Sequence, residues 1–169
     1  ENRNKTIHDF EEISIRNRYE VNYYQNINQI NLVLDEYEKA VEELNIFKKC
    51  GGNTIVELST IGINFKPDKL KNISQETGIN IILGTGIYTH EYLNDIALKF
   101  CVDDLIALMT KHLKEGIEGT SIRAGIIGEL GCSWKLKEIE KKSLTAALKI
   151  QENTGVTISI HPGRHKDSP

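Results

Sequence analysis

Short runs of β-branched and aliphatic residues alternate with amphipathic stretches along most of this chain, and this alternation restricts the possible folds more than any other feature. Four such runs have the composition of buried strands, and they lie at residues 53–59, 79–83, 121–127 and 156–160. Between them, apolar residues recur at i, i+3, i+4 and i+7, the spacing of a helix with one buried face. Because a helix connects each strand to the next, the sequence predicts a parallel sheet with helical crossovers.

Four helices are predicted, and a glycine follows the end of each. Glycine favours this place because it adopts the left-handed backbone conformation without a steric penalty. The predicted helices span 30–47, 67–77, 102–113 and 138–153. His112 is predicted to lie on the surface of the third helix. Residues 1–28 show no sustained period, so they are predicted to form a long loop with short helical turns.

Two architectures provide a parallel sheet of this kind. A doubly wound sheet favours a glycine-rich first turn, but Gly84-Thr-Gly86 lacks a third glycine and is not followed by a helical pattern. A (β/α)8 barrel fits better, because the polar or glycine residues that follow the strands lie at the end where barrel enzymes carry their chemistry. These residues are Ser59, Gly84, Glu129 and His161. A complete barrel takes roughly 250 residues. This chain has 169 residues, so half a barrel is predicted.

The charge of the chain indicates the class of partner, and its cysteines indicate the compartment. The net charge of -3 arises from 21 basic and 24 acidic residues that are mixed along the chain, so neither nucleic acid nor a membrane surface is an expected partner. A small-molecule substrate is expected instead. Three widely spaced cysteines, Cys50, Cys101 and Cys132, contain no Cys-x-x-Cys pair, which is typical of a reducing compartment. We therefore expect a cytoplasmic protein.

Glu129 and His161 are the candidate site residues with the clearest placement. Glu129 follows an apolar run, where it is either solvated or paired with a lysine such as Lys135, or belongs to a site. His161 follows the last strand, where a histidine is commonly satisfied by backbone groups. Neighbouring strands of a barrel bring their carboxyl ends together, so the two side chains are also candidates for one metal site.

Arg164 is either an exposed loop residue or a binding group for an anionic part of the substrate. The second interpretation rests on its place just beyond His161 and on the planar guanidinium, which suits carboxylates and similar oxyanions. Cys132 and Trp134 are predicted to pack between their strand and the helix that follows.

Three motifs closely resemble the phosphotriesterase-related proteins of the amidohydrolase superfamily. The resemblance extends from about Ile13 to the end of the chain. The motifs are Gly84-Thr-Gly-Ile-Tyr88, Gly119-Thr-Ser-Ile-Arg-Ala-Gly-Ile-Ile-Gly-Glu-Leu-Gly-Cys-Ser-Trp134 and Ile160-His-Pro-Gly-Arg164. Members of this family are (β/α)8 barrels with two divalent metal ions, usually zinc, at the mouth of the barrel.

The resemblance implies roles for three residues. In the related-protein branch, a glutamate of the fourth strand bridges the metals where phosphotriesterases proper use a carbamylated lysine, and Glu129 matches it. His161 matches the histidine ligand of the fifth strand. Tyr88 matches a tyrosine that lactonase-like relatives place beside the metals, and its alternative is a loop aromatic that covers apolar surface. The remaining family ligands come from the first, sixth and eighth strands, and His8 has no His-x-His partner.

The matched motifs imply that this chain is an α/β partial TIM barrel with about strands 2 to 5. Residues 1–28 would follow the first strand, and residues 29–169 would form the partial barrel of a metal-dependent hydrolase. The implied activity is binuclear, zinc-dependent hydrolysis of an ester, lactone or amide bond, including N-acylated amino-sulfonates, with metal-bound hydroxide as the nucleophile. The alternatives are an inactive incomplete fragment and a noncatalytic α/β binding module. A homodimer is one expected assembly.

Overall fold

The computed structural model describes residues 11–23, 28–33, 35–63 and 66–168. The chain divides into two compact units, Glu1–Ala40 and Val41–Pro169. The predicted division into residues 1–28, after the first strand of a barrel, and residues 29–169, the partial barrel, is defined by barrel strands. The two compact units do not test it, so it stays a prediction. The elements in chain order are α1 (Arg18–Tyr23), α2 (Gln29–Leu32), α3 (Tyr37–Lys49), β1 (Thr54–Glu57), α4 (Pro67–Thr77), β2 (Asn80–Thr85), the 3-10 turns His90–Tyr92 and Ala97–Lys99, α5 (Val102–Lys114), β3 (Ile126–Gly131), α6 (Glu138–Thr154) and β4 (Ile158–His161).

The first unit contains short helices held by side-chain hydrogen bonds to the backbone. Asn17 accepts a hydrogen bond from the Ser14 N–H at 2.7 Å and donates one to the Glu12 carbonyl at 2.9 Å. The Asn28 amide donates to the Glu11 carbonyl at 2.9 Å. Such Asx-type contacts favour turns and short helices over regular elements.

The single helix predicted over 30–47 is wrong, because two helices, α2 and α3, replace it. The Glu36 carbonyl accepts the hydrogen bond from the Ala40 N–H, so the chain begins a new helix at this point. Acidic side chains at Glu36 and Glu38 favour a helix start, because they lie beside the positive end of the helix dipole. No residue of α3 is buried, so the predicted buried face of this helix is not found either.

The second unit contains the predicted parallel sheet. Its four strands all pair in parallel, in the order β1-β2-β3-β4, and α4, α5 and α6 connect them. This is the order of consecutive units in a (β/α)8 barrel. None of the helices in the described parts of the chain combines the length and apolar character that crossing a bilayer requires.

The third strand begins later than predicted. The sequence predicts a strand over residues 121–127, but β3 covers Ile126–Gly131. Ile122 and Ala124 instead bond to the end of α5 and its connection, since the Ile117 N–H donates to the Ile122 carbonyl and the Ala124 N–H donates to the His112 carbonyl. The shift places Glu129 within the strand.

The helices cover one face of the sheet with a continuous apolar core. Ile127 and Leu130 of β3 are fully buried, and they belong to the same cluster as Leu105 and Met109 of α5. Residues of α6 complete the cluster: Ile139, Ala146, Ala147 and Ile150. Burial of aliphatic side chains of this size stabilises a domain by about 1.5–3 kcal/mol each. The core therefore holds β3, which carries Glu129, against α5 and α6.

His112 is buried in this layer, so the predicted surface position on α5 is wrong. Its side chain is 5% exposed, and its Nδ1 atom shares a hydrogen bond of 2.8 Å with the Thr85 hydroxyl at the end of β2. Burial lowers the pKa of His112, and the neighbouring charge of Lys111 lowers it further. The folded protein therefore favours the neutral imidazole.

We expect the stability of the protein to fall in mild acid because of His112. As the pH falls below the ordinary histidine pKa of about 6.5, the unfolded chain binds a proton that the folded chain resists. The contribution is complete above that pH and is lost as the pH falls toward the lowered pKa of the folded state. Urea unfolding at pH 7.5 and 5.5 measures this, and the loss for one proton is at most about 1.4 kcal/mol per pH unit.

The matched variant for this measurement is His112→Gln, which keeps a polar side chain but cannot bind a proton at these pH values. It should show a smaller decrease in the free energy of unfolding between the two pH values than the unmodified protein. An equal decrease in both proteins would assign the acid sensitivity to other groups.

Candidate active site at the carboxyl ends of β3 and β4

An irregularity in β3 determines which way Glu129 points. Ile127 pairs with Ile158 and Leu130 pairs with Ile160, so three steps along β3 correspond to two along β4. This β-bulge lets both Ile127 and Leu130 face the helices, whereas strict alternation would place Glu129 on the same face as Ile127. The carboxylate therefore lies on the face opposite the helical layer.

Gly128 makes the bulge possible. Its φ of +119° lies in a region of backbone conformation that residues with a side chain rarely adopt. A Cβ atom at this position would also collide with the backbone oxygen of Ser159 on β4. The strand therefore needs glycine directly before the glutamate, for both its conformation and its packing.

Glu129 and His161 lie together near the carboxyl ends of the neighbouring strands β3 and β4. Glu129 Oε1 is 3.1 Å from His161 Nδ1, and both side chains are about a quarter exposed, at 26% and 27%. The backbone around them is well bonded: the Glu129 N–H donates to the Leu58 carbonyl, and the Thr60 hydroxyl donates to the Glu129 carbonyl. The Cys132 N–H donates to the His161 carbonyl at 3.0 Å. The predicted proximity of the two side chains is found.

Tyr88 lies beside this pair. It follows β2, and its N–H donates to the Ile61 carbonyl at 2.8 Å. Its ring contacts the imidazole of His161 edge-on, with the centroids 5.4 Å apart, and it contacts the ring of Tyr92 at the same distance. Burial raises the pKa of Tyr88, and the negative charge of Glu129 raises it further. The hydroxyl therefore stays protonated near neutral pH and can donate a hydrogen bond.

Arg164 is exposed on the loop after β4. Its positive charge lies close enough to Tyr88 to oppose the rise in the pKa of that hydroxyl. The four predicted site residues, Tyr88, Glu129, His161 and Arg164, thus lie in one region. Arg164 has solvent access, which suits a group that meets an anion arriving from solution.

The sequence predicts that Trp134 packs between its strand and the following helix, and this prediction is wrong. It is 42% exposed, and its ring stacks on His165 with the centroids 5.2 Å apart and the planes 13° from parallel. Gly163 lies directly against the Trp134 backbone, and a Cβ there would be crowded. The loops after β3 and β4 are joined by this stack. Cys132, by contrast, is buried as predicted.

Glu140 is a further residue of this region, and the sequence pattern did not predict a role for it. This carboxylate in the first turn of α6 is fully buried and accepts hydrogen bonds from the loops after β2 and β3. The sequence contained one signal for it, an acidic residue three positions after the N-cap residue Lys137, which is the spacing of a capping box. That signal does not reveal the contact with the distant loop.

The Glu129–His161 pair fits part of a metal site. Two ligands of one tetrahedral zinc ion, each about 2.0–2.2 Å from it, lie roughly 3.3 Å apart, close to the 3.1 Å between these two atoms. Carboxylate oxygen and imidazole nitrogen are also ligands that zinc favours. Within the described residues, no group of three or more histidine, cysteine, aspartate and glutamate side chains is placed to hold a metal. The pair therefore supplies two ligands, which is fewer than a site requires.

Comparison with known proteins gives consistent matches. The family model described as Phosphotriesterase family matches residues 7–169. The chain is 45% identical over 167 residues to a protein named N-acetyltaurine hydrolase from Dictyostelium discoideum, and the match covers 98% of this chain and 45% of that protein. The chain thus spans less than half the length of the curated relatives that it matches.

Solved structures agree with the fold. A resiniferatoxin-binding protein from Rhodobacter sphaeroides superimposes with a TM-score of 0.85 at 33% identity, over 91% of this chain and 43% of that one. A PTE-like lactonase from Deinococcus radiodurans superimposes with a TM-score of 0.68 at 27% identity, over 74% of this chain and 41% of that one. Together with the parallel strand order, these matches confirm the predicted partial barrel.

Proposed function

The chain belongs to the phosphotriesterase family, and on that premise we propose that it forms part of a binuclear, metal-dependent hydrolase. The observation that supports this most directly is the pair of Glu129 Oε1 and His161 Nδ1, which lie 3.1 Å apart at the ends of neighbouring strands. In this proposal, Glu129 would be the carboxylate ligand shared by the two metals, and His161 would be a ligand of one of them. Zinc is the proposed metal, because it accepts both ligand types.

The chemistry of the site divides between the metals and the residues of this chain. When bound, the two cations would lower the pKa of a water molecule to near neutrality and polarise the scissile carbonyl group. Tyr88 has a protonated hydroxyl beside His161, and it donates a hydrogen bond to an oxygen of the substrate. Arg164 binds an anionic group of the substrate through its planar guanidinium.

The proposed substrate is the amide of an N-acylated amino-sulfonate. The support comes from two directions: the name of the 45% identical relative, N-acetyltaurine hydrolase, and the exposed cation of Arg164 beside Tyr88. A neutral lactone or ester is the alternative, supported by the structural likeness to a PTE-like lactonase.

The proposal includes a cytoplasmic location, supported by the three free cysteines. Homodimerisation stays a prediction.

A substrate panel with the whole protein tests the proposed function. We expect kcat/KM for an N-acyl amino-sulfonate to exceed that for a neutral lactone and a phosphotriester by at least about tenfold, because only the first offers an anion to Arg164. Elemental analysis should find zinc in the purified protein, and chelation should remove both the metal and the hydrolysis until zinc is returned. Unchanged hydrolysis in protein free of metal would contradict the proposal. A preference for the lactone would select the alternative substrate.

A further inference from the structure

Glu140 is a fully buried carboxylate that is saturated with hydrogen bonds. Its Oε1 atom accepts from the His90 N–H at 3.0 Å and from the Ser133 hydroxyl at 2.6 Å. Its Oε2 atom accepts from the N–H groups of Ser133 and Lys137, both at 2.9 Å. A buried charge is costly unless such donors surround it. Burial alone would raise the pKa of Glu140, but these donors lower it on balance, so the side chain is an anion in the folded protein.

Helix capping accounts for only part of this arrangement. The Lys137 N–H lies at the start of α6, and its bond to an acid three residues later is half of a capping box. The two bonds from Ser133 belong instead to the loop after β3. The bond from His90 comes from the loop after β2, fifty positions away in the chain. A carboxylate that only capped α6 would need none of these three.

The bond to His90 reaches the candidate active site through a short series of contacts. His90 begins a 3-10 turn that ends at Tyr92, and the Tyr92 N–H donates to the Thr89 carbonyl at 3.0 Å. The Tyr92 ring contacts the Tyr88 ring, which in turn contacts the imidazole of His161. These contacts connect the His90 turn to Tyr88 and His161.

We propose that Glu140 is a positioning residue, a buried anion that joins the loop after β2 to the loop after β3 and thereby holds Tyr88 beside Glu129 and His161. On one side it holds the His90 turn. On the other it holds Ser133, four residues beyond Glu129. The positioning itself is independent of the proposed function, whereas its consequence for catalysis rests on that function.

Glutamine in place of Glu140 should affect the bond to His90 differently from the bonds to Ser133 and Lys137. Both carboxylate oxygens accept an N–H group, so the amide NH2 of glutamine must face at least one donor whichever way it turns. At the Oε2 position it would oppose two N–H groups, from Ser133 and Lys137. At the Oε1 position it would oppose only the His90 N–H, because the Ser133 hydroxyl can rotate and accept. The variant should therefore keep its hydrogen bonds with Ser133 and Lys137 and lose the bond from the His90 N–H.

Residue-resolved amide hydrogen exchange in the intact protein tests this directly. In Glu140→Gln we expect the His90 amide to exchange at least about tenfold faster, and the Ser133 and Lys137 amides to change less than about threefold. The control is Glu138→Gln, which removes the same charge from the same helical turn, where the side chain is 80% exposed. It should leave all three amides unchanged. Faster exchange at Lys137 alone, with His90 unaffected, would reduce Glu140 to a helix cap and overturn the proposal.

One measurement needs no variant and keeps the proposal falsifiable if Glu140→Gln does not fold. In the unmodified protein, the His90 amide should exchange at least about tenfold more slowly than that of its exposed neighbour Glu91, after correction for sequence effects. Equal exchange at the two positions would mean that Glu140 does not hold the turn.

A double-mutant cycle with Tyr88→Phe tests the consequence for catalysis. If Glu140 acts through the Tyr88 hydroxyl, Glu140→Gln should lower kcat/KM about tenfold in the unmodified protein but less than about twofold in the Tyr88→Phe protein. Additive losses would indicate a general structural role and contradict the proposed route. Should no substrate be hydrolysed at all, the proposed function fails, while the exchange measurements still decide whether Glu140 joins the two loops.

Discussion

Replacing Glu129 with glutamine in the whole protein is expected to lower kcat/KM on the order of 10³-fold or more, provided that the site binds two metals as proposed. The amide has no negative charge to place between two cations, so the metal content should fall from about two ions per chain. Without both cations, a water molecule in the site would lose the lowering of its pKa toward neutrality that the metals would supply.

The fold should survive this substitution, which makes the result interpretable. The Glu129 side chain is about a quarter exposed and contacts His161. The strand is held at this residue by the bond from the Glu129 N–H to the Leu58 carbonyl and by the bond from the Thr60 hydroxyl to the Glu129 carbonyl. Circular dichroism and the midpoint of urea unfolding check this. Glu152→Gln, an exposed change on α6, is the matched control for the loss of one carboxylate. A Glu129→Gln protein with full zinc content and full hydrolysis would exclude the bridging role.

Replacing Arg164 with alanine should raise KM for an N-acyl amino-sulfonate by about 10–100-fold, with little change in kcat. A charge-assisted hydrogen bond is typically worth about 1.5–3 kcal/mol, and every 1.4 kcal/mol is tenfold in binding. A neutral lactone or ester offers no anion, so its KM should change less than about twofold. Steady-state kinetics with one anionic and one neutral substrate measure the difference.

The same loop provides the control for Arg164→Ala. Lys166 is also exposed and carries the same charge two residues further on, so Lys166→Ala removes a cation without removing the guanidinium. It should leave both KM values within about twofold, since exposed charges separated by solvent interact weakly. Equal KM changes for the anionic and neutral substrates in Arg164→Ala would show that the arginine does not bind the anion.

The proximity of Glu129 and His161 was predictable from the sequence, but the local backbone that orients Glu129 was not. Glu129 and His161 could be placed at the same end of neighbouring strands, because strand order follows from the alternation of elements. The face on which Glu129 lies could not, since it depends on a bulge that exists only where β3 pairs with β4. Gly128 was visible in the sequence, but its role becomes clear only from the nearby Ser159 backbone.

The errors in the prediction have a common cause. Each error arises from hydrogen bonds that the apolar pattern does not show. Local bonds determine the break between α2 and α3 and the late start of β3, and a partner distant in the chain accompanies the burial of His112. Ile122 has the composition of a strand residue, yet its carbonyl accepts the Ile117 N–H in a local turn. His112 lies on a helix of ordinary amphipathic pattern, and its buried Nδ1 atom shares a hydrogen bond with the hydroxyl of Thr85, which is 27 positions away in the chain. Local pattern cannot reveal such contacts.

By itself, the sequence determined the parallel α/β order of this protein and its resemblance to one hydrolase family, and it predicted Glu129 and His161 as metal ligands. These follow from apolar periodicity and from motifs, which are properties of neighbouring residues. Only the tertiary structure decided that Glu129 leaves the apolar layer and that Glu140 accepts a hydrogen bond from His90, fifty positions away in the chain. The physical reason is that a buried charge requires several donors at once, and those donors meet only when the chain has folded.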